Sequence, residues 1–128
     1  MNGYLLDTNI FSEIFKANKS VTQQVGELGP DVFIDITVYI ECLQGSKSNS
    51  EKRQIKRFLE SFPLIPYNTD QSRLAVDLID QYSNSHGLLL GDALISASAL
   101  SFGLTIFTFN IVDFQFIQGL QCLCPESK

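Results

Sequence analysis

The chain has 128 residues, 45% of them hydrophobic and 18% charged, which suits a single domain over residues 1–128 that buries roughly two-thirds of its unfolded surface and argues against disorder. No apolar run approaches the roughly 20 residues of a membrane span, so no membrane association is expected. The formal net charge of -5 and a pI near 4.6 argue against a nucleic-acid grip spread over the whole surface, although five of the nine basic residues gather between Lys47 and Arg57 and set up a local field of opposite sign.

Tyr4-Leu5-Leu6 reads as a short buried strand ending at Asp7, with Thr8 or Asn9 capping a helix through Phe15. Met1-Asn2-Gly3 runs straight into it without a basic, then apolar, leader, so a cytoplasmic location is expected. Gly29-Pro30 closes a second short helix, and Val32-Phe33-Ile34 is the next strand. A helix from Thr37 stops at Gly45, and Ser50 or Glu51 opens a basic helix to about Ser61. On that helix Lys52, Arg53, Lys56 and Arg57 recur opposite Ile55, Phe58 and Leu59; this is either a solvated face or an RNA-backbone contact.

Pro63-Leu64-Ile65-Pro66 holds only a brief strand, expected at a sheet edge because both prolines lack the ladder donor. Thr69 or Asp70 caps a long helix to His86-Gly87, with Leu74, Val76, Leu78 and Ile79 as its apolar stripe. A further helix runs from Asp92 to Phe102-Gly103, its small residues suited to close packing. Leu104 to Phe107 is a buried strand, Asn110 to Ile117 a turn or short helix, and Gln121-Cys122-Leu123 a last strand. Strands alternating with helices predict an α/β fold with a mostly parallel sheet covered on both faces.

Four acidic motifs punctuate this order: Leu5-Leu6-Asp7-Thr8-Asn9, Thr37 to Gly45 around Glu41, Gly91-Asp92-Ala93-Leu94-Ile95, and Thr108 to Phe114 around Asn110 and Asp113. Each sets a carboxylate beside an apolar run, where a bare charge costs several kcal/mol to bury. A hard divalent cation, which prefers oxygen ligands, is the simplest compensator. Asp7 and the Asn110/Asp113 pair follow strands directly and should face the same carboxyl edge of the sheet, where α/β ligand sites gather. Glu41 has no basic residue at i±3 or i±4, and Asp92 stands near a helix start that favours an anion. Helix capping is the structural alternative for Asp7 and Asp92, and turn initiation for Asp113.

Other chemistries fit poorly. The single histidine, His86, gives no histidine pair for acid–base cleavage and no histidine-rich zinc site. Cys42, Cys122 and Cys124 fit neither a disulfide framework nor a four-ligand zinc pattern. Glycine-rich phosphate loops and nucleophile elbows are missing from the sequence.

Taken together, Leu5-Leu6-Asp7-Thr8-Asn9, Thr37-Val38-Tyr39-Ile40-Glu41 before Gly45, Asp92-Ala93-Leu94-Ile95-Ser96-Ala97, and Thr108-Phe109-Asn110-Ile111-Val112-Asp113-Phe114 before Gly119-Leu120 resemble the PIN-domain ribonucleases, especially toxins of the VapC type. The resemblance spans nearly the whole chain. It implies a three-layer α/β/α sandwich, metal-dependent endoribonuclease activity with Mg²⁺ or Mn²⁺, a homodimer, and a cognate antitoxin as inhibitor. By position it makes Asp7, Glu41 and Asp92 the acidic metal ligands with Asp113 as a fourth, and gives Thr8, Asn9, Thr108 and Asn110 supporting places. Phe109 departs from the pattern, which often has a basic residue there. Two rival readings are a catalytically silent PIN-like module that docks RNA or protein, and a PIN nuclease of RNA processing outside a toxin–antitoxin pair.

Overall fold

The computed structural model of the chain describes residues 3–127. Its strands are β1 (Gly3–Leu6), β2 (Val32–Asp35), β3 (Leu64–Ile65), β4 (Leu104–Phe107) and β5 (Cys122–Leu123). The helices are α1 (Thr8–Phe15), α2 (Lys19–Glu27), α3 (Ile36–Gln44), α4 (Asn49–Leu59), α5 (Thr69–His86) and α6 (Leu90–Phe102). All strand pairings are parallel in the order β3-β2-β1-β4-β5. The fold is the expected α/β/α sandwich, and the brief Leu64–Ile65 strand does lie at an edge.

The three central strands, β1, β2 and β4, are too apolar to leave the interior, whereas Leu64 of β3 and Leu123 of β5 are exposed at the sheet edges. Leu5, Leu6, Ile34, Ile106 and Phe107 are almost wholly buried, packed with Phe11, Val21, Val25, Ile55 and Leu59 from α1, α2 and α4. Ile95 and Ala99 of α6 join this core. A second cluster holds α5 to α6 through Ala75, Leu78, Tyr82, Ala93 and Ala97, and Ala93 and Ala97 are fully buried, as expected for a helix whose small residues allow close approach.

Several boundaries move for local reasons. Asp7, rather than Thr8 or Asn9, caps α1, its side chain accepting from the Thr8 N–H. Asn68, rather than Thr69 or Asp70, caps α5 in a reciprocal box with Gln71. Ser48 caps α4, which ends at Leu59. The buried stripe of α5 runs through Gln71, Ala75, Leu78 and Tyr82, with the expected Leu74 and Ile79 half-buried beside it; Val76, two residues from both Leu74 and Leu78 and so on the other side of the helix, is 67% exposed. Helix α6 begins at Leu90, so Asp92 is in its first turn and does not cap it. The segment after β4 is a 3₁₀ turn at Ile111–Asp113. Among the described residues no helix is long and apolar enough to cross a membrane.

Candidate active site

The chain leaves β1 toward β2 on one side and later fills β4 on the other, so the strand order reverses at the carboxyl ends of β1 and β4. Such a switch point opens a crevice, because the connections depart in opposite directions. Asp7 and Thr108 stand there as the residues following β1 and β4, with the Asp7 N–H donating to the Phe107 carbonyl at 3.0 Å.

Asp7 is 6% exposed and held on both oxygens. Oδ1 accepts from the Thr8 N–H at 2.8 Å; Oδ2 accepts from Thr108 Oγ1 at 2.8 Å and Asn9 Nδ2 at 3.2 Å. The Asn9 amide nitrogen also donates to Thr108 Oγ1 at 3.1 Å, and the Asn110 N–H donates to the same hydroxyl at 3.0 Å. Residues about a hundred positions apart thus lock the first and last motifs together. Thr8 reaches the other way, its hydroxyl donating to Glu41 Oε1 at 2.5 Å across from α1 to α3.

Asp7, Thr8, Asn9, Glu41, Asp92 and Asn110 line one open cleft of about 500 Å³, together with Ser12, Gln44 and Gly45. Asp113 lies on the 3₁₀ turn outside this lining and is exposed, but its charge is felt at Asp92. The basic residues Lys52, Arg53, Lys56 and Arg57 are exposed on α4 and none lines the cleft; the lysines of the adjoining grooves are Lys16 and Lys47.

The cleft has the electrostatics of crowded anions. Burial, followed by the charges of Asp7, Asp113 and Glu41, pushes Asp92 up to about 6. Burial also raises Asp7, opposed by the Thr108 and Thr8 hydrogen bonds and reinforced by Glu41 and Asp35. Among the described residues, ion pairing is confined to Lys16–Glu13, so no cationic side chain relieves the cleft.

The donors fit a hard divalent cation in kind: every candidate ligand atom is an oxygen. The backbone also makes room, since a Cβ at Gly91 would lie 2.9 Å from Glu41 Oε2. Glycine there lets the Glu41 carboxylate close onto the first turn of α6. The fit is incomplete in the geometry, because among the described residues no three His, Cys, Asp or Glu side chains already form a metal-binding group. The carboxylates repel one another across the cleft, and bound positive charge would relieve that repulsion.

One participant was not anticipated from the sequence. Asp35, fully buried, ends β2 and caps α3: its Oδ1 accepts from the Val38 N–H at 2.9 Å. Its Oδ2 accepts from Ser98 Oγ of α6 at 2.9 Å and from the Tyr67 hydroxyl at 3.0 Å. Gln71 Nε2 donates to Ser98 at 3.2 Å, and Thr37 is hydrogen-bonded to Tyr67. One carboxylate therefore ties together α3, which carries Glu41, and α6, which carries Asp92. The available signal was an acid closing an apolar strand, the same pattern as Leu5-Leu6-Asp7.

A parallel α/β/α sandwich with acids gathered at its central switch point defines a class of nuclease-like domains, and the PIN domain model matches residues 4–115. This chain belongs to the PIN-domain family. It is 31% identical over 134 aligned residues to Ribonuclease VapC1 of Rickettsia felis, with 98% of each chain covered. It is 34% identical to Ribonuclease VapC10 of Mycobacterium tuberculosis over 62% of this chain and 60% of that one. Among solved structures, a toxin–antitoxin complex from Klebsiella pneumoniae superimposes with a TM-score of 0.83 at 26% identity, covering 98% of this chain and all of that one. The VapBC2 complex of Rickettsia felis bound to a promoter DNA fragment gives 0.82 at 25% identity, covering 97% and 98%.

Proposed function

We propose that this protein is a Mg²⁺- or Mn²⁺-dependent endoribonuclease, the toxin of a VapBC-type pair held in check by a cognate antitoxin, and that it works as a homodimer. The observation that carries the reading is the meeting of Asp7, Glu41 and Asp92 in one cleft at the switch point of a PIN fold. Kinship with a ribonuclease along the full chain and likeness to toxin–antitoxin complexes support its two halves.

Asp7, Glu41 and Asp92 would hold the cation, with Asp113 or Asn110 at its margin. The bound cation would lower the pKa of a water for in-line attack on a phosphodiester and neutralise the charge that develops on the phosphate. Thr108 and Asn9 fix the Asp7 carboxylate so that it need not reorganise, and Thr8 does the same for Glu41. The open cleft admits a polymer chain rather than enclosing a small substrate.

Purified free of any partner and incubated with total RNA, the protein is expected to make discrete cuts in Mg²⁺ or Mn²⁺ and none in EDTA, leaving 5′-phosphate ends. Intact RNA in every condition, from protein that is folded and binds Mn²⁺, would instead support the silent module. Gly91→Ala supplies a finer test. The new methyl must displace the Glu41 carboxylate, whose flexible end can swing away at little cost to the fold. Cleavage should fall about 10- to 100-fold, as when an outer support of a metal site is lost. The melting temperature should hold or rise slightly, because alanine favours a helix. Unchanged cleavage would show that Glu41 need not approach α6.

A further inference from the structure

Resting on that reading, we propose that the hollow beside Phe109 is a nucleobase subsite, which takes a base splayed out of its stack next to the scissile phosphate. Asn9, Ser12, Glu13, Lys16 and Phe109 line a hollow of about 340 Å³ that shares Asn9 and Ser12 with the catalytic cleft. A group resting in one is therefore next to a group resting in the other.

Phe109 is 38% exposed and belongs to neither apolar cluster. Phe15, similarly exposed, packs on Phe11 and Phe58 at centroid distances of 6.1 and 5.8 Å; among the described residues no aromatic ring pairs with Phe109. Fold stability does not account for a bare ring at this place. The backbone that carries it is nonetheless fixed: the Phe109 N–H donates to Asn9 Oδ1 at 3.2 Å, the Thr108 N–H to the Leu123 carbonyl at 3.0 Å, and the Asn110 N–H to Thr108 Oγ1 at 3.0 Å. Asn9 is the link, gripping Asp7 with its nitrogen and Phe109 with its oxygen. The backbone that carries the ring thus holds a set position relative to the Asp7 carboxylate, which on the proposed reading faces the scissile phosphate.

An exposed aromatic ring on a fixed backbone, with a cation alongside, is what a splayed-out base and its phosphate need. Lys16, 73% exposed, is the cation; its Nζ lies 3.4 Å from Glu13 Oε2, a surface pairing weak enough to yield to a phosphate. A base stacked within a duplex has both faces covered by its neighbours and offers none to Phe109. Recognition at this point therefore favours a loop or a single strand over a helix.

The test uses Asp92→Asn protein, in which cleavage is blocked but the Asp7–Asn9–Phe109 contacts are intact, and a fluorescein-labelled RNA decamer, alone or annealed to its complement. Anisotropy in Mg²⁺ should show tighter binding of the single strand. Adding Phe109→Ala should weaken that binding about 5- to 150-fold, the range for a base losing an aromatic partner. Duplex binding should not change, and Phe109→Trp should restore the single-strand affinity. Equal losses on both RNAs, or no loss on either, would overturn the proposal, as would duplex preference. Cleavage of total RNA by the Asp92-bearing protein separates the two failures: a parent and a Phe109→Ala variant that cut equally well sink the subsite alone, and a parent that cuts nothing sinks the nuclease reading with it.

Discussion

Asp7→Asn is expected to abolish RNA cleavage while the fold remains. On the proposed reading the substitution removes a charged ligand from the cation and lowers turnover by at least about 100-fold, beyond what loss of an outer support costs. The fold persists because asparagine caps a helix as well as aspartate does, and because the charge removed is one that burial and Glu41 already disfavour. Contacts at one oxygen become unfavourable: an amide nitrogen in place of Oδ2 would face both Asn9 Nδ2 and the Thr108 hydroxyl, and turned the other way it would face the Thr8 N–H. The net change in stability should be small, and thermal unfolding followed by circular dichroism measures it. An unfolded variant would return Asp7 to a purely structural role.

The same charges make a pH signature. A folded-state acid with a raised pKa binds protons more tightly than its unfolded form, so stability is greatest below the unfolded value and declines as pH rises. For Asp92 the window runs from 3.8 to about 6, and Asp7 adds to it in the same direction. The metal-free protein should therefore lose stability between about pH 4 and 6, and millimolar Mn²⁺ at pH 7 should restore it by binding only the native state. In Asp7→Asn both the decline and the Mn²⁺ effect should shrink. A melting temperature that ignores Mn²⁺ would contradict the metal site directly.

What the sequence disclosed follows from how far each signal reaches. Strands such as Tyr4-Leu5-Leu6 and Leu104 to Phe107 are apolar runs bounded by polar residues, a pattern that local inspection finds. Their order in the sheet is carried by crossovers, and alternation alone does not fix it. Asp7 and Asn110 were assigned to one edge because each follows a strand, and both line the cleft. Glu41 and Asp92 arrive there by helix packing, which a motif match could suggest but local patterning could not. Asp113 sits outside the lining because the 3₁₀ turn carries it outward. The web around Asp35 stayed hidden for the same reason: Tyr67, Gln71 and Ser98 sit on other elements, and a polar residue on a helix reads as surface until its partner is known.

That web gives the largest expected loss of stability. Asp35→Ala would strip the cap from α3 and leave the fully buried Val38 N–H and Ser98 hydroxyl, and the hydroxyl of the half-buried Tyr67, without their acceptor. Ser98 has a partial refuge in the Leu94 carbonyl at 3.3 Å, and Tyr67 in Thr37, so the cost should be roughly 2–4 kcal/mol rather than the sum of three orphaned donors. A melting temperature lower by roughly 10 °C would register it. Asp35→Asn should behave differently. Its oxygen can keep the Val38 cap, and its nitrogen can donate to Ser98 and Tyr67, whose hydroxyls accept as readily as they donate. It also removes a carboxylate that burial, opposed by those hydrogen bonds, holds above its ordinary pKa. Stability near pH 7 should then match or exceed that of the parent, with a shallower decline from acid to neutral pH. If alanine and asparagine cost the same, the packing of the side chain rather than its hydrogen bonds holds α3 to α6, and the separation of Glu41 from Asp92 is set elsewhere.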